Sequence, residues 1–126
     1  MGTFSDSVAN SWLDALARNT SYANAGGVWV KLHLGDPGSA GTSNAAVETT
    51  RKQVTFGSAA ASRAISNTAA VEWTNVSTSE TYTWISLWTD VSAGTFLGRD
   101  DLSSSAAVTA GDTFRIPIGD LDLTVT

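Results

Sequence analysis

A mainly-β domain is predicted by three observations. Apolar and polar residues alternate with period two after Val28, one amphipathic stretch precedes that point, and Gly, Asp and Ser turns recur at short intervals. The expected architecture is an antiparallel β-sandwich or small barrel of about seven or eight strands with one N-terminal α-helix. With 126 residues the chain makes a single domain, 1–126, because two cores of half that length would each be marginal. Charged residues are only 15%, while Ser and Thr fill 33 of the 126 positions, so the surface is hydroxylated rather than ionic. Five Trp, four Phe and two Tyr supply the large apolar groups that disordered chains lack.

The helix is expected over about 5–18. Val8, Trp12, Ala15 and Leu16 recur at helical spacing, and Ala9 and Leu13 widen the stripe. Ser5 or Asp6 caps the start, Phe4 is placed to fold back as a staple, and Asp6 and Arg18 complement the helix dipole. Gly26-Gly27 resets the chain, and the sandwich spans about 28–126. In its first strand Val28, Val30, Leu32 and Leu34 oppose Trp29, Lys31 and His33. Gly35-Asp36-Pro37-Gly38 ends it, with Pro37 and Gly38 suited to the two central positions of a type II turn. Residues 38–50 form a surface loop.

Further strands are expected over 51–57, around 62–66 and from Val71 towards Val76, with a turn near Asn67. Thr81–Thr89 is the strongest strand and should be central. Tyr82, Trp84 and Trp88 occupy one face and Thr83, Ile85 and Leu87 the other, and Trp73, Trp84 and Trp88 are candidates for one aromatic layer. A hairpin-like Asp90–Gly94 leads into Thr95–Arg99, Asp100-Asp101 marks a break, and a weak strand runs over 106–109. After the Ala110-Gly111-Asp112 turn, Phe114, Ile116 and Ile118 alternate around Pro117, which requires an edge or an interruption. Leu121, Leu123 and Val125 close the chain.

Several chemistries lack the residues they need. There is no cysteine, so neither disulfide nor thiolate chemistry is available, and a single imidazole, His33, cannot build a histidine-rich metal site. Nucleophilic catalysis needs a hydroxyl paired with a base. His33 is instead expected on the outer face of the first strand or at the turn near Asp36. Asp100-Asp101, Asp112 and Asp120-x-Asp122 read as solvated carboxylates rather than a cation chelate. No glycine loop for phosphate is present. The expectation is therefore no catalytic residue, no cofactor and no metal. Residues 64–126 carry two basic and eight acidic residues, which opposes nucleic-acid binding. No apolar run reaches membrane-spanning length, and the N-terminus lacks a secretory pattern.

Trp29, opposite the Val28/Val30/Leu32 face, packs on Trp12 or anchors an interface, because buried tryptophan contributes large area at small entropic cost. The interface candidates are Trp12, Trp29, Trp88 and Arg115. The ordered set Phe4–Leu16, Val30–Gly38, Arg51–Phe56, Asn67–Trp73, Ile85–Asp90 with Gly94–Leu97, and Val108–Leu121 resembles a family of small virion structural proteins of tailed bacteriophages, often labelled tail fibre or minor tail proteins. Trp84-Ile85-Ser86-Leu87-Trp88 is more aromatic than that family's pattern. The resemblance implies a non-enzymatic virion component, on the tail or as a capsid-surface decoration. It would act through self-association into a cyclic oligomer, for instance a trimer, and through contacts with other virion proteins. The alternative reading is a carbohydrate-binding module in which Trp29 or Trp88 stacks on a host surface glycan.

Overall fold

The computed structural model describes residues 3–22 and 26–125, so positions 1–2, 23–25 and 126 of the expected domain lie outside the described residues. Strand β1 (Thr3–Phe4) leads into helix α1 (Asp6–Ala17). There follow β2 (Trp29–His33), β3 (Lys52–Gln53), β4 (Ala64–Ser66), β5 (Val71–Trp73), β6 (Glu80–Trp88), β7 (Phe96–Val108), β8 (Phe114–Ile116) and β9 (Asp122–Thr124). One antiparallel sheet has the order β1-β7-β6-β2-β3, and β4 with β9 and β5 with β8 make two antiparallel ribbons. The fold is mainly β, as expected, but there is no closed barrel. Its second layer is a pair of ribbons rather than one continuous sheet.

Local chemistry accounts for the first element. Ser5 caps α1, its Oγ accepting from the Val8 amide while donating to the Phe96 carbonyl. Its own amide donates to the Leu97 carbonyl, which ties the helix start to β7. Phe4 packs edge-on against Trp12 with ring centroids 4.8 Å apart. Only the first half of the apolar stripe is covered: Val8 is buried, whereas Leu13 and Leu16 are 62% and 85% exposed.

β6 is central, as its sequence predicts, lying between β2 and β7. Val30 and Leu32 of β2, Ile85 and Leu87 of β6 and Leu97 of β7 form the inner face, covered by Val71, Trp73, Val76, Ile116 and Leu121. The face assignment within β6 differs from simple alternation. Tyr82 pairs with Ala106 and Trp84 with Asp101, so Leu102–Ser105 of β7 lie opposite the single residue Thr83. Tyr82 accordingly belongs to the inner core with Ile85 and Leu87, its ring 5.2 Å from that of Phe114. Trp73 joins Phe114 there, while Trp84 and Trp88 belong to the other side, so the three tryptophans do not share a layer.

Other boundaries are corrected as well. Asp100 and Asp101 do not break the chain but lie within β7, which also absorbs the expected strand over 106–109. Backbone pairing to β6 at Gly98–Asp101 and again at Ala106–Val108 holds β7 on both sides of the unpaired Leu102–Ser105 stretch, where Ser erases the side-chain alternation. The segment 51–57 is a strand only at Lys52–Gln53, although the Val54 amide still donates to the Val28 carbonyl. The surface loop 38–50 is mostly exposed and is anchored to β2. The Leu34 amide donates to the Asn44 carbonyl and the Ala46 amide to the Leu32 carbonyl, folding the loop back along β2. Gly38 has φ +77, as the expected turn requires, and a Cβ on Gly41 would meet the Phe96 ring at 2.4 Å. The expected turn near Asn67 is held by that side chain itself. Asn67 is buried, accepts from the Gly119 and Leu121 amides, and donates to the Ala69 and Pro117 carbonyls.

Candidate functional site

The outer face of the large sheet, turned away from the core, carries the densest cluster of aromatic and basic groups. Register builds it directly: Trp29 faces Trp88, Lys31 faces Ser86, and His33 faces Trp84 across β2 and β6, while Ser86 faces Arg99 across β6 and β7. Residues two apart on a strand share a face. Trp29, Lys31 and His33 therefore flank a row of Trp84, Ser86 and Trp88.

His33 is fully buried beneath the returning loop. Its Nδ1 lies 2.8 Å from the Ser43 carbonyl, which only accepts, so Nδ1 carries the proton. Nε2, at 2.7 Å from Ser86 Oγ, then accepts from that hydroxyl, and Ser86 Oγ accepts in turn from Trp88 Nε1 at 2.8 Å. Burial pushes the His33 pKa down, with the Ser43 carbonyl acting against it and the Lys31 charge adding to it. The sequence-based placement on the outer strand face holds, but the loop covers it. Ser86 and His33 have a nucleophile–base spacing, yet both are fully buried and the partner of Nδ1 is a carbonyl rather than a carboxylate.

Three cations surround this network. The Arg51 guanidinium lies 4.1 Å from the centroid of the Trp88 ring and donates to the Asp90 and Ala93 carbonyls. Arg99 pairs with Asp36 at 2.8 Å. Among the described residues the Lys31 side chain has no hydrogen bond or ion pair, and its pKa is lowered by burial and then by the Arg51 charge.

Two further surfaces flank the core. A groove of about 470 Å³ runs between β7 and the ribbons and is lined by Asp100, Asp101, Asp120, Asp122 and Arg115. Burial raises the Asp100 pKa. Among the described residues no three His, Asp or Glu side chains converge to hold a metal ion. An apolar cleft of about 300 Å³ separates α1 from the β4–β9 ribbon, with Val8, Trp12, Tyr22, Ile65, Leu123 and Val125 among its walls.

The family described as Podophage GP4 fiber I protein gp80 matches residues 3–124. The chain belongs to that family. It is therefore a phage virion component, as the ordered motifs imply. No curated protein matches the sequence. Within this fibre-family chain the four interface candidates do not form one site. Trp29 and Trp88 are cross-strand neighbours, but Trp88 is only 8% exposed beneath Arg51. Trp12 lies on the core side with Phe4 and Tyr22, so it does not pack on Trp29, whose Nε1 donates to the Gly26 carbonyl. Arg115 lies on the β5–β8 ribbon, 3.6 Å from Glu72. Sequence reasoning passed over Lys31, Arg51 and Trp84. The signal for Lys31 and Trp84 was present, since alternation sets Lys31 beside Trp29 and Trp84 departs from the family's pattern.

Proposed function

We propose that the chain is a non-enzymatic structural subunit of the tail fibre, self-associating into a cyclic oligomer through the exposed side of α1. One observation carries this reading. Leu13 and Leu16 lie one turn apart, 62% and 85% exposed, close to an apolar cleft whose rim adds half-exposed Tyr22 and Val125. Helical apolar side chains left in water with an apolar cleft beside them suit burial against another subunit. The absence of an enzymatic role is supported by His33, the single imidazole, whose two ring nitrogens are both engaged inside the fold. Fibre-family membership supports contacts with other virion proteins and favours the tail over a capsid-surface decoration. Light scattering on the purified chain should give an oligomer mass, and Leu13→Ser with Leu16→Ser should give monomers of unchanged circular dichroism. A wild-type monomer at micromolar concentration would overturn the reading.

A second reading, recognition of a host glycan, is favoured by half-buried Trp29 and Trp84 beside an unpaired Lys31 on the open sheet face. Trp88 is less suited to stacking than the sequence suggests, because Arg51 already occupies its ring.

A further inference from the structure

We propose that the outer sheet face around Lys31 binds a carboxylate-bearing saccharide, with Lys31 as the ionic anchor and the Trp29 and Trp84 indoles holding the sugar ring. The proposal rests on the glycan reading above and names its site and ligand class. The strand register fixes the layout, since Trp29 precedes Lys31 by two residues on β2 and Trp84 lies diagonal to it on β6. Both tryptophans are half-buried, so each retains exposed surface.

The hydrogen-bonding groups of this face are strongly one-sided. Lys31 has three ammonium donors without partners among the described residues, and Trp84 Nε1 makes no hydrogen bond there either. The nearby acceptors are in use: Ser86 Oγ and the His33 ring serve one another and Trp88, and the Asp36 carboxylate holds Arg99 and the Gly38 amide. Asp101, opposite Trp84 on β7, interacts with Asp100 and forms no ion pair with Lys31. Arg51 adds a second positive charge that cannot move away, fixed by the Trp88 ring and two carbonyls. The Asp90 carboxylate offsets part of the Arg51 charge but no carboxylate pairs with Lys31, so the two cations still disfavour each other and a bound anion relieves that repulsion. Inorganic phosphate would satisfy the charge and could accept from Trp84 Nε1 but gain nothing from the apolar ring faces. A saccharide acid supplies acceptors, negative charge and an apolar ring face together.

Isothermal titration calorimetry decides the matter with trigalacturonic acid and sialyllactose as acidic probes and the methyl ester of trigalacturonic acid as the neutral one. At least one acid should bind the wild-type chain, more tightly than the neutral ester. Lys31→Gln should weaken it about tenfold, as expected for loss of a charge-assisted contact. Trp84→Phe should weaken it by removing the indole donor, and Arg18→Gln, at the far helix end, should leave it unchanged. Thermal melts confirm folding, and Trp84→Phe keeps an aromatic ring in place. If the neutral ester binds as well as the acids and Lys31→Gln is silent, the anionic assignment fails while glycan recognition stands. If no saccharide binds, both fail. If poly-glutamate competes as strongly as the acids and Trp84→Phe is silent, the face serves an acidic protein segment and the proposal is overturned.

Discussion

Two buried polar residues, Asn67 and His33, hold loops to the frame, and both make testable demands. Asn67→Ala removes both acceptor contacts to the Gly119 and Leu121 amides and leaves the Ala69 and Pro117 carbonyls without their donor. Because unsatisfied buried groups are costly, urea unfolding should show a loss of about 2–4 kcal/mol. A change within about 0.5 kcal/mol, the scale of an ordinary surface substitution, would refute this role. For His33 the folded pKa lies below its ordinary value because burial disfavours the imidazolium. The unfolded chain takes up the proton first as pH falls through about 6.5, so the network's contribution is complete above that pH and is lost below it. The stability gap between wild type and His33→Gln should therefore narrow between about pH 7.5 and pH 5.5. Asp100, whose burial acts in the opposite sense, is common to both proteins and cancels from the comparison. A gap that stays constant would contradict the assigned tautomer and burial. The sequence marks Asn67 as a turn and His33 as an outer-face residue. It does not reveal their partners, which lie 50 or more positions away for Pro117 and Leu121 and for Ser86.

At the scale of elements, legibility follows the strength of side-chain alternation. The helix, β2 and β6 carry dense apolar patterns and appear where those patterns place them. β7 is the counterexample. Its middle, Ser103-Ser104-Ser105, is exposed throughout and has no registered partner on β6, so only the pairing on either side, at Asp101 and Ala106, carries the strand through it. The extra length Leu102–Ser105 also turns Tyr82 inward, which a strict period of two cannot foresee. The small, polar composition of loop 38–50 marks it as a surface loop but does not reveal its order. Its order comes from Gly41, which lets the backbone lie against Phe96, and from the bonds that return it along β2. Gly41→Ala places a methyl where the Phe96 ring sits and imposes φ +74 on an L-residue. Hydrogen exchange at the Leu34 and Ala46 amides should then accelerate while that of β6 stays slow. Unchanged protection at both amides would show that the loop does not depend on this contact.

For the whole molecule, the division between faces is the main outcome. One side of the large sheet closes on the ribbons as the core, the other presents basic and aromatic groups, and α1 extends apolar residues into solvent at one end. The overall class and the virion assignment were legible, because ordered turn and strand motifs span almost the entire chain. The position of the proposed binding faces was not, since Trp12 and Trp29 fall on opposite sides of a sheet that only long-range pairing creates. Because the side chains proposed to meet are Leu13 and Leu16 and the exposed Asp14 and Arg18 beside them already pair with each other, the proposed assembly should be carried by apolar contact and should persist in about 1 M salt, where charges are screened beyond about 3 Å. The chain lacks cysteine, which makes the contact directly measurable. Leu16→Cys should be joined to its copies by a short thiol-to-thiol cross-linker, giving covalent oligomers on a denaturing gel, whereas Ala107→Cys on β7 should remain monomeric. Equal cross-linking at both positions, or none at Leu16→Cys, would contradict assembly through the helix.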